Sequence, residues 1–376
     1  MRKIKVLQFI SSTGMYGAEY WVLALIKNLD SVKTQSYVAA PIDSANQVVD
    51  LLGISEGLGF PARAIRMRGK LSPDGIVRLY KVLKKEKIDI IHTHGYKSNI
   101  MGLFAAKMAG IKSVNTPHGF EDVKNDNKMK AYRYLDRTAY KFFDSVAPLS
   151  EVLYSVMLKY KVDPGKINLI MNGIDLDAIE TERRNPGVIE KSGNEKIIGY
   201  IGRLIPHKNI YDILKAFDGI VGQHKSKNLR LAIVGDGPEK GALEQYAGSL
   251  KSASFITFFG YRSDRLNLLK SMDIFTMTSR REGMPRCMME AIVMGIPVAA
   301  YNVQGVNQLL IDNQTGLMAD FGNVEGLQKC WLRLLSDDGL AKKMAENGKR
   351  YIEDNFSAKR MADEYFNLYY KLLENS

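Results

Sequence analysis

Residues 273–300 read DIFTMTSRREGMPRCMMEAIVMGIPVAA. The stretch opens on an apolar run, Ile274 to Met277, crosses a polar turn from Ser279 to Pro285, enters a helix, and closes on a second apolar run, Pro297 to Ala300. Strand, helix, strand is the unit from which parallel sheets are built. Two carboxylates lie eight positions apart in it, Glu282 in the turn and Glu290 about one turn into the helix. Pro285 suits a first helical position, and the amide N–H groups left unpaired at a helix start form a site for an anion. A carboxylate on each side of an amide-lined turn suits a polyol that carries a phosphate.

The segment E-G-M-P-R-C-M-M-E, residues 282–290, with the A-I-V-M-G-I-P-V-A-A that follows it, resembles the E-x7-E motif of the retaining glycosyltransferases of family 4. The resemblance implies an α/β fold of GT-B type, two Rossmann-like domains facing across a cleft, with a C-terminal helix crossing back to the first domain. Residues 1–180 are expected to form an acceptor-binding domain and 196–356 a nucleotide-sugar-binding domain. Residues 357–376 are the returning helix, and its positions Met361, Tyr365, Leu368 and Leu372 make one apolar side. Between the domains, 181–195 is polar with Pro and Gly and is the best linker.

Length and composition agree with an enzyme of this size. A chain of 376 residues exceeds one ordinary core, and 45% of it is apolar. No apolar run is long enough to cross a bilayer, the first residues are charged and then strand-like, and Cys287 and Cys330 are the only cysteines. The expectation is a cytoplasmic protein without a disulfide framework or a cysteine-based zinc site. Net charge is +12, of which residues 1–185 carry +9 and the remainder +3. An acidic partner for the first half is one reading, and plain solubility is the other.

In the first half, Ile4 to Ile10 reads as a buried strand, then the turn S-S-T-G-M-Y-G, then a helix from about Ala18 to Leu29. Gly14 and Gly17 let backbone approach a ligand, and the resemblance places this loop near the donor phosphates and the acceptor. Tyr16 stands where the family has the first of two paired glycines. Apolar runs at Ser36–Ala40, Ile88–Ile91 and Ser113–Asn115 continue the alternation. His118, in N-T-P-H-G-F, falls on the loop after a strand, where open α/β sheets bind ligands, and the resemblance assigns it to the donor sugar. Two segments are basic, Pro61–Lys70 and Lys128–Lys141. In the second, Tyr132, Leu135 and Ala139 share one helical side while Lys130, Arg133, Arg137 and Lys141 share another. That pattern suits an anionic lipid surface, and an ordinary solvated helix explains it equally well. Asp175-Leu176-Asp177 has the spacing of a metal motif, but inside N-G-I-D the first Asp is expected to cap a helix.

In the second half, G-R-L-I-P-H-K-N sets Arg203 and Lys208 before a helix, two cations fit to neutralise a diphosphate. The resemblance gives both that role, with Asn209 in place of the usual Gly. V-G-D-G-P, residues 234–238, lacks the third glycine of a dinucleotide fingerprint, since Lys240 stands there. Backbone groups of Tyr261 and Arg262 are candidates to read the base. Gln308 replaces a family Glu, which leaves the donor sugar open.

The resemblance implies transfer from a nucleotide-diphosphate sugar, UDP ahead of GDP, to a glycan or lipid-linked acceptor in cell-envelope polysaccharide or lipopolysaccharide synthesis. No cofactor and no metal are expected beyond the nucleotide-sugar substrate. Arg203, Lys208 and the helix start after Pro285 would carry the leaving-group charge, Glu282 with the amides of Gly283 and Met284 would hold the sugar, and Glu290 would hold the ribose hydroxyls. His118, Arg203, Lys208 and Glu282 are the catalytic candidates. The protein is expected in the cytoplasm, with the basic N-terminal domain suited to the inner face of the membrane. A nucleotide-sugar epimerase or a phosphorylase on the same fold stays open. A nucleic-acid-binding protein would account for the charge, but no motif for one is present and nucleic acid is not expected as a partner.

Overall fold

Apolar runs with helical patterns between them fold into two separate parallel sheets. The structure is a computed structural model, and it describes residues 2–374 apart from 13, 68, 70, 71, 120–133, 185, 186 and 225–227. The first sheet contains β1 (Ile4–Ile10), β2 (Thr34–Ile42), β3 (Ala62–Arg66), β4 (Ile90–His94), β5 (Lys112–Asn115) and β6 (Ser145–Val146), in the order β3-β2-β1-β4-β5-β6. The second contains β7 (Lys196–Ile201), β8 (Leu229–Val234), β9 (Ile256–Gly260), β10 (Ile274–Met277), β11 (Val298–Asn302) and β12 (Leu317–Asp320), in the order β12-β11-β10-β7-β8-β9. Each order reverses once beside its first strand, between β1 and β4 and between β7 and β10. Two strands that diverge in connection at such a point leave a crevice outside their carboxyl ends.

The chain forms two compact units, residues 1–173 with 358–376, and residues 174–357. In the first, alternate residues of β1 face opposite layers. Val6 and Ile10 join Trp21, Val22 and Leu25 of the helix Gly17–Asn28 and Met361, Tyr365 and Tyr369 of the helix Ala358–Glu374. Leu7 and Phe9 pack instead with Leu79, Leu83, Met101 and Ala105. Both faces are therefore dry, which is why the strand reads as an unbroken apolar run. Gln8 sits in that run on the Trp21 side and is fully buried.

Two sequence expectations, the linker and the apolar side of the second basic segment, meet a different structure. The basic segment 61–70 contains the edge strand β3, whose arginines Arg63 and Arg66 are exposed while Ile65 is buried; Arg68 and Lys70 lie outside the described residues. The change of unit falls at Gly173–Ile174, before the polar stretch. That stretch lies on the second unit: Leu176–Arg183 is helical, Ile189 donates its N–H to Ser271 Oγ at 3.0 Å, and Lys191 pairs with Asp273 at 2.7 Å. In the second basic segment Lys130, Tyr132 and Arg133 lie outside the described residues, and 134–139 are helical. Leu135, placed on the packed side by periodicity, is 43% exposed, and the buried side carries Ala139 and Asp136. Asp136 accepts a hydrogen bond from Asn99 at 2.9 Å, which draws that side inward. Asp175 accepts from the N–H of Ala178 at 3.2 Å and caps its helix.

Candidate functional site

The second unit gathers the larger group of candidates at the β7/β10 reversal. Backbone bonds lace the loops there. Gly202 N–H donates to Val234 O at 3.0 Å, Leu204 N–H to Asp236 O at 2.9 Å, and Glu239 N–H to Leu204 O at 3.1 Å. The approach is so close that a Cβ on Gly235, whose φ is +142°, would fall 1.8 Å from the Gly202 carbonyl oxygen. Arg203, in the loop so fixed, is exposed, and among the described residues no carboxylate pairs with it.

Lys208 ends a short 3-10 turn, Pro206–Lys208. Asn209 follows in the left-handed region at φ +52°, a conformation Asn tolerates nearly as a glycine does, so the exchange at this position leaves the turn intact. Thr278, just past β10, donates its hydroxyl to the carbonyls of Lys208 and Asn209 at 3.2 and 2.9 Å, and Arg280 N–H reaches His207 O at 2.8 Å. Lys208 Nζ lies 2.5 Å from Glu282 Oε1, with both side chains largely buried. Glu282 is steadied from behind by Gly305, at φ +91°, where a Cβ would fall 2.3 Å from the Glu282 carbonyl oxygen. Gly283 and Met284 complete the turn, and Met284 is buried.

Glu290, in the helix Arg286–Val293, is 2% exposed and held by two arginines. Arg265 donates through Nη2 at 2.7 Å to one oxygen and Nε at 3.3 Å to the other; Arg286, one turn before Glu290, donates Nε at 2.9 Å. Burial alone would push its pKa up, but the two guanidinium groups outweigh it and hold the carboxyl below the usual range. Neighbouring Cys287 is a poor nucleophile, since burial pushes its thiol up to about 12. On the loop after β9, Tyr261 is 53% exposed, and Arg262 is clasped by Asp264 at 2.7 and 2.6 Å, so the guanidinium is engaged and the loop backbone is what remains for a ligand.

The first unit holds Gly14 and His118 on loops, and Gly17 at the start of a helix, at the carboxyl edge of its own sheet. Ser12 Oγ donates to Gly14 O at 3.2 Å, and Glu19 Oε2 accepts from Tyr16 N–H at 3.0 Å, which fixes the start of the helix that Gly17 opens. The Tyr16 ring lies against Gly14, where a Cβ would fall 2.9 Å from it. His118 meets a buried group that the sequence reading passed over: Gln8, His92 and His94. His118 Nε2 is 3.0 Å from His94 Nδ1, and His94 Nε2 is 2.9 Å from Gln8 Oε1. His92 bridges Tyr369 at 2.7 Å and Thr116 at 2.8 Å. Trp21 stacks edgewise on the His118 ring at 5.0 Å. Burial pushes the pKa of all three imidazoles down, that of His118 to about 3, so each is neutral near pH 7.

Arg265 and Arg286 were likewise missed. Arg286 could have been found from its spacing of four to Glu290, whereas Arg265 comes from another element and leaves no local signal. Among the described residues no cluster of three or more His, Cys, Asp or Glu is arranged to hold a metal ion.

Two family models cover most of the chain: glycosyltransferase family 4 matches residues 15–178, and glycosyl transferases group 1 matches residues 181–351. The UDP-Gal:alpha-D-GlcNAc-diphosphoundecaprenol alpha-1,3-galactosyltransferase of Escherichia coli is 31% identical over 314 residues, 80% of each chain. The N-acetyl-alpha-D-glucosaminyl L-malate synthase of Bacillus anthracis is 26% identical over 79% of this chain and 78% of its own. The structure of Anabaena Alr3699/HepE in complex with UDP-glucose superposes with a TM-score of 0.80 at 18% identity, covering 99% of this chain and 100% of that one, and it shows a shared GT-B fold.

The histidine cluster carries a pH signature. A histidine whose folded pKa lies below its ordinary 6.5 is protonated first in the unfolded chain, so stability is complete above that value and is lost as the pH falls beneath it. Each such group removes up to about 1.4 kcal/mol per pH unit. Urea midpoints should therefore fall between about pH 7.5 and about pH 5.5, a window above the carboxylates, and His92→Phe should make that slope shallower. Equal slopes in the two proteins would show that His92 is not held neutral.

Proposed function

We propose that this chain, which belongs to glycosyltransferase family 4, moves a sugar from a UDP-sugar, in preference to a GDP-sugar, to a hydroxyl of a glycan or lipid-linked acceptor with retention of configuration. The observation that carries this reading is the pair of cations at the β7/β10 reversal, Arg203 exposed and Lys208 joined to Glu282. The similarity to a galactosyltransferase named for a UDP-Gal donor and a diphosphoundecaprenol acceptor supports UDP, a lipid-linked acceptor and cell-envelope synthesis. The similarity to a synthase named for L-malate keeps a small acceptor open to test.

In this proposal the donor diphosphate lies against Arg203 and Lys208, which supply the positive charge that a divalent cation would otherwise bring. Glu282 with the Gly283 and Met284 amides holds sugar hydroxyls, and its ion pair with Lys208 fixes the position of the carboxylate. Glu290 takes the ribose. An ionised carboxylate has about four acceptor positions, and the arginines fill three, which leaves one for a ribose hydroxyl. The backbone of Tyr261 and Arg262 faces the base, the Gly14–Gly17 turn serves phosphate and acceptor, and His118 serves the sugar. The acceptor oxygen bonds to the anomeric carbon on the face the nucleotide leaves, the bond from that carbon to the phosphate oxygen breaks, and the departing phosphate takes the hydroxyl proton.

Arg203→Ala should lower kcat by about 10² to 10³ while leaving the unfolding midpoint unchanged, because the side chain is exposed. Unaltered kinetics would remove Arg203 from the site.

We also place the protein at an anionic membrane surface. No helix among the described residues is long and apolar enough to cross a membrane. Yet Phe104 and Met108 are more than half exposed, as are Tyr134 and Phe142, and Tyr134, Phe142 and half-exposed Leu135 border the exposed cations Arg137 and Lys141 in sequence. The buried sides of these segments share one cluster, Leu103 with Ala139, Tyr140 and Phe143, so they are neighbours in the first unit. Basic residues beside exposed aromatic ones are what an interfacial site requires. Sedimentation with phosphatidylglycerol vesicles should be abolished when Lys130, Arg133, Arg137 and Lys141 are all changed to Gln; full retention would make this a solvated face.

A further inference from the structure

The tautomer of His118 follows from the polarity of the hydrogen-bond chain behind it, and the orientation of the Gln8 amide sets that polarity. Gln8 Nε2 donates to Tyr369 OH at 3.5 Å, which turns its carbonyl, Oε1, toward His94. A carbonyl oxygen only accepts, so the proton of neutral His94 is on Nε2 and its Nδ1 is a bare acceptor. The partner of that acceptor, 3.0 Å away, is His118 Nε2, which must then be the protonated nitrogen of His118. Tyr369 closes the other branch, passing its proton to His92 Nδ1 at 2.7 Å, so that His92 donates from Nε2 to Thr116 at 2.8 Å. In this arrangement each hydrogen-bonded ring nitrogen of His92, His94 and His118 meets a partner of the opposite role. Turning the Gln8 amide over reverses all of these roles.

We propose that Gln8 and His94 are positioning residues that hold His118 as the Nε2–H tautomer, so that its Nδ1 is offered as a hydrogen-bond acceptor to a substrate hydroxyl. Among the described residues none hydrogen-bonds to that Nδ1. The group selected is a hydroxyl, of the donor sugar or of the acceptor. A phosphodiester or a carbonyl is refused, because neither carries a proton to give at neutral pH and His118 has none on that nitrogen. Burial, which disfavours a second proton on any of the three rings, keeps the relay neutral. The assignment rests on the transferase reading for the identity of the substrate, but the tautomer itself does not.

The test is nitrogen-15 NMR of histidine-labelled full-length protein without substrate at neutral pH, the His118 signals being identified by their loss in His118→Asn. The expected spectrum shows protonated Nε2 and bare Nδ1 for His118 in the wild type, and a mixture of tautomers in Gln8→Leu and in His94→Phe, each of which cuts the relay. Transfer activity in Gln8→Leu should fall about tenfold, since part of the population then presents the wrong nitrogen. A wild-type His118 protonated on Nδ1 overturns the proposal even if neither variant folds, and so does a tautomer unmoved by a folded variant. Failure of the protein to use any nucleotide-sugar would overturn the transferase reading while leaving the spectrum to judge the relay.

Discussion

The ion pair between Lys208 and Glu282 spans the β7/β10 reversal, and the site of the second unit depends on it. Lys208 belongs to the loop after β7 and Glu282 to the loop after β10. Their strands are neighbours in the sheet although 74 residues separate Lys208 from Glu282 in sequence. Neither charge is well solvated, so each makes the other tolerable, and removing one partner would leave an uncompensated charge costing about 3–5 kcal/mol. The pair therefore sets the distance between two loops, and everything around it is arranged to keep those loops still. Thr278 ties β10 to the Lys208 turn, Gly305 admits the Glu282 carbonyl, and Gly235 admits that of Gly202.

A second constraint runs through the first unit. Its sheet buries both faces, so a polar side chain on β1 or β4 must find its partners inside. Gln8, His92 and His94 do so with one another, with Tyr369 and with Thr116, and the last helix is bound into the layer through Tyr365 and Tyr369. Two structural hydroxyls and an amide thereby sit behind the one histidine placed at the edge of the sheet. In the role proposed for His118, structure and chemistry would share the same atoms.

Much of this was legible in the sequence where the chemistry is local. Arg203, Lys208, Glu282 and Glu290 stand in short motifs whose spacing fixes their elements, and the alternation of apolar runs was enough to expect two parallel sheets. Met361, Tyr365 and Leu368 showed the packed side of the last helix by period alone. What was hidden is what only the fold assembles. Gln8 looks like an accident in an apolar run, and I-H-T-H at residues 91–94 places its histidines two apart on one side of a strand, a signal that becomes chemical only when β1 pairs with β4. Arg265 reaches Glu290 from a separate helix. Leu135 misled because helical periodicity weighs apolarity, whereas the hydrogen bond from Asn99 pulled Asp136 inward.

The most direct test of the donor site is thermal unfolding of the wild type and Lys208→Met with UDP, GDP, ADP and their common sugar conjugates. A ligand at about a hundred times its dissociation constant stabilises the folded state by about 2.7 kcal/mol, a readable shift. The account requires a shift with UDP or a UDP-sugar in the wild type that is absent in a folded Lys208→Met. No shift with any nucleotide, or one that survives the loss of Lys208, would contradict it.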